Sequence, residues 1–407
     1  MNSLISLLVA FSIISLPLYL VRFSVLNIPT TLHEILVWIT FILVLSVTGV
    51  RNKLSSVDKI LWLGILLIIV GAILGVYVSA DKVATLGLVK GYIITPIILG
   101  LIMLIAPVKN KIIINSLFLS GLIVAASVYI DIFINKIALS GRVAGIYNLD
   151  TGASPNYVSL FLTPLAGIIL AKIIADIFQN KWQNVWRKIA VFILIFGAVV
   201  ASQSRAGIFI ILLIGLSTVY SNITKRVRQK KVVNRLAIAV IVILAASVIK
   251  IASPNLSATP DSGRISSSNN IRYEIWKTTF KDIIPSYWLT GVGIGQYQNI
   301  FTYLTQNRVN YPEYIAPKAL TPHNVLLSAW MNIGLVGLIG LILVIISIYR
   351  NRYLFHIESN HIFTPYSLLL TAILLLGIFD TSVFKNDLGG LFWIAIFMLS
   401  SEKGKLS

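Results

Sequence analysis

Apolar runs recur along the whole chain, each bounded by charge, proline, glycine or asparagine. Each is long enough to cross a hydrocarbon core about 30 Å thick, which takes roughly 20 helical residues. The pattern predicts about twelve spans, near 4–21, 32–50, 60–79, 87–106, 112–134, 157–178, 188–202, 205–220, 234–252, 324–349, 362–381 and 387–401. Stretches such as LGILLIIVGAILGVYV at 63–78 do not alternate, so the in/out pattern of an outer-membrane barrel strand is missing. The expected fold is therefore all-α, a polytopic transmembrane helical bundle. Only the tetrapeptide SQSR divides the seventh and eighth spans, and one long kinked helix is the alternative there. The first run lacks a basic leader and a small-residue cleavage site, so it is read as a retained span.

One connection breaks this rhythm. Residues 253–322 make a loop of roughly seventy residues, far above the usual connection length, and such loops are usually functional or disordered. It divides the chain into helices one to nine (1–252), the loop, and helices ten to twelve (323–407). Inside it, IRYEIWKTTFKDII puts Tyr273, Trp276, Phe280 and Ile284 on one helical face, with Pro285 closing the helix. That predicts an amphipathic helix lying against the bilayer surface or the bundle. Tyr287, Trp288, Tyr297, Phe301, Tyr303, Tyr311 and Tyr314 add aromatics of the kind found at headgroup level.

Composition sharpens the class. The 407 residues are 57% hydrophobic and only 12% charged. A soluble domain carries about twice that share of charge, which excludes a soluble enzyme. With no cysteine, disulfides, thiolate metal sites and thiol nucleophiles are excluded too. The net charge of +19 is unevenly divided between alternate connections. One set holds Arg51, Lys53, Lys109, Lys111, Lys181 and the run KRVRQKKVVNR at 225–235; the other holds far fewer basic residues. The basic set marks the cytoplasmic face, which with an even span count puts both termini inside and the long loop on the non-cytoplasmic side. The basic run is read as a topology determinant near anionic membrane lipid, not as a nucleic-acid site.

The informative ionisable residues fall on the expected outer face: Arg142 in SGRVAGIYN, Arg205 in ASQSRAG, Arg264 in DSGRISS, Arg272 in RYEIW and His323 in TPHN. A single arginine there is most simply a snorkelling side chain or a headgroup contact. Four on one face, one of them squeezed between two apolar helices, point instead to an anion, since burying a guanidinium near hydrocarbon is costly without one. The planar guanidinium fork suits phosphate oxygens, so an amphiphilic substrate with a phosphate or diphosphate is expected. His323 precedes a span at the position of a helix N-terminus, where the dipole disfavours an imidazolium and leaves a neutral ring able to take a proton. A helix-end histidine is also a common cap or scaffold residue. Asn324 beside it can hold the ring's tautomer or a sugar hydroxyl, and Gly334, Gly337 and Gly340 permit close helix approach. GVGIGQY at 291–297 lacks a preceding strand and reads as a turn, no Gly-x-Ser-x-Gly occurs, and the four histidines lack metal-ligand spacing. Neither a metal nor another cofactor is expected.

SQSRAG opening a span, R-x-x-x-W in RYEIW, IIPSYWLTGVGIGQY, and PHN leading into a helix with GLVGLIG come in an order that resembles the O-antigen ligase and polymerase superfamily of bacterial membrane glycosyltransferases. RVAGIYNLDTGASPNYVSLFL at 142–162, with its Arg-x-x-Gly before Asn156, is similar to a further segment of that family. The resemblance covers mainly 142–345. It implies metal-independent transfer of a glycan from undecaprenyl diphosphate to an acceptor hydroxyl on a lipid, glycan or protein, on the extracytoplasmic side. Carried onto this chain, it makes Arg205 and Arg272 ligands of the diphosphate and His323 the base, with Arg142, Arg264, Asn324, Trp276 and Asn156 as lesser substrate-binding candidates. Arg264 and Arg272 compete for one role, and the helix pattern with Trp276 favours Arg272. Ligase and polymerase both remain open, and a transporter of an anionic solute or lipid is the non-enzymatic alternative; it should carry its arginines near the bilayer midplane.

Overall fold

The computed structural model describes residues 2–25, 28–46, 50–136, 141–149, 154–226, 268–307, 321–355 and 364–401, and these are mostly helical. In chain order the helices are α1 Asn2–Ile14, α2 Leu32–Leu45, α3 Val50–Ser55, α4 Lys59–Val78, α5 Lys82–Val89, α6 Thr95–Ile105, α7 Asn110–Phe133 and α8 Pro155–Phe178. They continue with α9 Val185–Ala201, α10 Arg205–Arg226, α11 Ser268–Thr278, α12 Ile284–Tyr287, α13 Tyr297–Thr305, α14 Val325–Phe355, α15 Pro365–Gly377 and α16 Asn386–Ser401. Among the described residues six helices are long and apolar enough to cross a membrane: Lys59–Val78, Lys82–Ile105, Asn110–Phe133, Pro155–Phe178, Arg205–Ile223 and Val325–Arg350. Four shorter apolar helices accompany them. This is an integral membrane protein. Length thus supports six crossings where the pattern predicted about twelve, and the expected span at 234–252 lies outside the described residues, as do 253–267 and 308–320 of the long loop.

Prolines account for several departures from the predicted spans. Pro17 interrupts the first apolar run, so α1 stops at Ile14 and a 3-10 turn, Leu16–Leu20, follows. The chain then makes a small hairpin that the all-α expectation lacked, β1 Arg22–Val25 against β2 Ile28–Thr31, with Arg22 opposite Thr31. Thr31 goes on to cap α2 through a reciprocal capping box with Glu34, and Lys90 ties the hairpin down by donating to Pro29 O and to Thr30 Oγ1 (3.3 Å) while pairing with Glu34 of α2 at 3.0 Å.

Two π turns have a shared cause. Lys90–Ile94 joins α5 to α6 just before Pro96, and Thr279–Ile283 joins α11 to α12 just before Pro285. In each, the residue preceding the proline donates its N–H five residues back, Thr95 to Lys90 O and Ile284 to Thr279 O. A proline ring would collide with the carbonyl four residues earlier, and the widened turn moves that carbonyl aside. Pro285 therefore does not close its helix, which runs on to Tyr287. Along this stretch Ile275, Thr278, Thr279 and Ile283 are buried, whereas Tyr273 and Phe280, expected against the bilayer surface or the bundle, are exposed. Tyr297 and Phe301, expected at headgroup level, are not interfacial; they form a core with Ile275, Ile283, Val292 and Met331.

The chain divides into two compact units. The first comprises Met1–Ile113, Ile265–Ile362 and Gly377–Ser407. There α4 packs along α14 through glycines: a Cβ on Gly64 would lie 2.8 Å from Gly340 O, and one on Gly71 would lie 2.7 Å from Gly337 N. Gly337 and Gly340 thus permit the close approach their spacing suggested, whereas Gly334 breaks the helix instead. The second unit comprises Ile114–Arg264 and Phe363–Leu376. Its centre is α8, almost wholly buried between α9 and α10. The stretch around SQSR is not one kinked helix: α9 ends at Ala201, Gln203 turns the chain at φ 54°, and α10 starts at Arg205.

Candidate active site

In the first unit, Asn324 opens α14. Its Oδ1 accepts from the amides of Leu326 (3.0 Å) and Leu327 (3.1 Å), which fills the role of an N-cap, and its Nδ2 donates to Ile378 O at 3.1 Å. Both ends of the amide expected to meet a tautomer or a sugar are thus engaged with backbone. His323 sits just before this cap at φ 49°, a left-handed conformation uncommon outside glycine. The surroundings enforce it: Trp276 Nε1 donates to Pro322 O at 2.8 Å, and the His323 amide meets Thr321 Oγ1 at 3.4 Å. Such a conformation costs about 1–3 kcal/mol and persists only where neighbours over-determine it.

The His323 ring has a partner the sequence reading missed. Nδ1 lies 3.1 Å from Oδ1 of Asp380, which is buried beyond the end of α15 and also accepts from the Thr381 amide at 2.8 Å. Burial alone would push the Asp380 carboxyl up. The His323 ring beside it, their hydrogen bond, the Thr381 amide and the Arg272 guanidinium outweigh this and hold it below its ordinary value. An ionised carboxylate can only accept, so in the neutral ring Nδ1 carries the hydrogen and Nε2 holds the lone pair. Arg272 comes from α11, one helical turn before Trp276, and both bear on the same place: Arg272 through its charge on Asp380, Trp276 through the carbonyl before His323. Arg272, Trp276, His323 and Asn324 are therefore brought together. Asp380 was legible only as an acid at the end of an apolar run, in GIFDTSVF, in a chain with 14 acidic residues.

In the second unit, the Arg142 Nε donates to Ser202 O at 3.0 Å and its terminal nitrogen donates to Asn156 Oδ1. The Val143 amide meets Ala201 O at 3.2 Å, and Gln203 Nε2 reaches Gly141 O at 3.3 Å. Arg142 and Asn156 thus hold the turn from which α10 rises. Arg205, the first residue of α10, is exposed, and among the described residues its side chain has no hydrogen-bond or ion-pair partner. A guanidinium at a helix N-terminus adds to the positive end of the dipole, an arrangement that favours an anion. Arg264 lies outside the described residues. Among the described residues no group of three or more His, Cys, Asp or Glu could hold a metal ion.

Residues 190–342 match the family model described as O-antigen ligase. The resemblance to that superfamily therefore holds over this stretch, which contains Arg205, Arg264, Arg272, Trp276, His323 and Asn324 and leaves out Arg142, Asn156 and Asp380. No curated protein matches the chain.

Proposed function

We propose that the chain is a membrane glycosyltransferase of O-antigen ligase type, moving a glycan from undecaprenyl diphosphate to an acceptor hydroxyl at the outer face of the cytoplasmic membrane. The observation that carries this reading is the Asp380–His323 pair beside Arg272, at the head of α14. His323 Nε2 takes the proton of the acceptor hydroxyl as the oxygen attacks the anomeric carbon. The bond from that carbon to the diphosphate breaks, and undecaprenyl diphosphate leaves with the electron pair. Asp380 holds Nδ1–H, keeps the lone pair on Nε2 and stabilises the imidazolium formed. Arg272 binds the diphosphate and stabilises the charge growing on it. For Arg205 an anion-binding role is proposed on its own chemistry, as an exposed guanidinium at the start of α10. Attack opposite the leaving group inverts the anomeric carbon, which product stereochemistry by NMR tests.

The experiment is transfer by the purified protein in lipid, supplied with undecaprenyl-diphosphate glycan from the native host and its envelope lipid acceptors, with EDTA throughout. Wild type should modify the acceptor lipid. His323→Ala should lower the rate by about 10²–10⁴-fold, and His323→Asn, which tolerates the left-handed backbone, should be as slow. Longer chains still on the carrier would make the protein a repeat-unit polymerase using the same residues. A fully active His323→Ala, or no product of either kind from wild type, would overturn the reading and leave anion transport to be tested.

A further inference from the structure

Gly334 breaks α14 with φ 69° and ψ −178°, a region open essentially to glycine alone. A broken helix frees backbone groups that must find other partners. Here one turn supplies them. Met331 O accepts from the amides of Val292 (2.7 Å) and Gly293 (3.2 Å), and the Leu335 amide donates to Leu289 O at 3.0 Å. Trp330 Nε1 adds a bond to Trp288 O at 2.6 Å. The fit is backbone on backbone: a Cβ on Gly334 would lie 2.4 Å from Leu289 O, and one on Gly291 would lie 2.5 Å from Met331 O. On the remaining side α4 closes the break, where a Cβ on Gly71 would lie 2.3 Å from Ile333 O and one on Gly75 2.8 Å from Asn332 O.

The break separates a short half-helix, 325–333, from the long remainder. The half-helix carries His323 and Asn324 at its N-terminus, and the turn seated in the break follows α12 and, before it, α11, which carries Arg272 and Trp276. The chain bearing Arg272 therefore grips the chain bearing His323 twice: through Trp276 at Pro322 before the half-helix, and through residues 288–293 at its far end. One attachment would allow a pivot; two fix the separation. An unbroken α14 would bond Met331 O to the Leu335 amide and leave the turn nowhere to seat.

We propose that the Gly334 break, with the Leu289–Gly293 turn inserted in it, is a positioning joint that holds the half-helix bearing His323 at a fixed place relative to the helix bearing Arg272. Gly334, Gly291 and Trp330 are its positioning residues. The inference rests on the reading above, in which His323 and Arg272 act on one substrate.

The test uses the full chain in lipid and two readouts. The chain has no cysteine, so spin labels at Lys277→Cys and Leu326→Cys, on exposed positions of α11 and of the half-helix, report the distance across the joint. Gly334→Ala should shift or broaden that distance and lower kcat by about a hundredfold, since small misplacements of reacting groups have effects of that size. KM for the lipid-linked donor should stay within about threefold, because the groups that bind it are present but misaligned. Trp330→Phe, which removes one hydrogen bond and keeps an aromatic, though smaller, side chain, should do the same to a smaller extent and covers the case in which Gly334→Ala fails to fold. Gly87→Ala, which adds a Cβ into open space, should change neither readout. An unchanged distance in both joint variants, or a changed distance with unchanged kcat, would overturn the joint. If wild type lacks transfer activity the functional reading fails, and the label distance alone decides whether the joint exists.

Discussion

The two polar clusters of this chain are built on opposite plans. Around His323 nearly every polar group is engaged: Asp380 takes Nδ1, Asn324 caps α14 and ties down Ile378, Trp276 holds Pro322, and Nε2 is the atom to which the proposed proton transfer falls. Around Arg205 the engaged residues are the neighbours, Arg142 and Asn156, and the exposed guanidinium itself has no partner among the described residues. The first arrangement sets a protonation state and an orientation, as proton transfer demands. The second presents a charge, which needs little orientation and a partner from outside. A chemical step and a binding step leave different signatures in how polar groups are shared out.

The largest effect should come from Asp380→Asn. The amide removes the negative charge that fixes the His323 tautomer, and transfer should fall on the order of 10³-fold with little change in donor KM. The pH dependence has a definite sign. Because the folded-state carboxyl is held below its ordinary value, its contribution to stability is present above the unfolded pKa and is lost as pH falls through the folded one. Thermal unfolding of wild type should therefore weaken on strong acidification more than that of Asp380→Asn. Equal acid sensitivity in the two proteins would remove Asp380 from the account of both stability and tautomer.

Arg205→Lys comes next, and it separates charge from geometry. Lysine keeps the positive charge but loses the planar fork, so a diphosphate ligand should lose about 10²-fold in transfer. A fully active lysine variant would reduce Arg205 to a point charge, and the contrast with the His323 cluster would sharpen.

Smaller again is Arg142→Ala, expected at about tenfold in rate with a stability loss of about 1–2 kcal/mol from its hydrogen bonds. If it abolishes transfer as completely as loss of Arg205 while leaving stability intact, Arg142 touches substrate and the scaffold reading of this turn is wrong.

How much of this could be read beforehand follows from the range of each interaction. Hydrocarbon thickness imposes itself on some twenty consecutive residues, so α4, α7, α8 and α10 were legible to within a few positions, and SQSR was legible as a divider. Local motifs also brought Arg272, Trp276 and His323 into view. The His323–Asp380 contact joins residues far apart in sequence, and no spacing rule predicts it. Nor could pattern reveal the π turns, because a helical period carries no signal for a turn widened by one residue before Pro96 or Pro285. The roles of Arg142 and Asn156 were undecidable from residue type, since the same side chains bind substrate or brace a turn.

The smallest effect tests the His323 side of the comparison most finely. Asn324→Ala should cost about 1 kcal/mol through loss of the cap, and Asn324→Ser should restore most of it, because serine caps nearly as well. Serine cannot replace the Nδ2 bond to Ile378 O, however, and that bond anchors the segment leading to Asp380. Transfer by Asn324→Ser should therefore stay a few-fold below wild type although stability has recovered, with KM unchanged. If KM for the acceptor rises instead, the amide meets substrate as well as backbone, and His323 no longer stands alone as the group left free for the reaction.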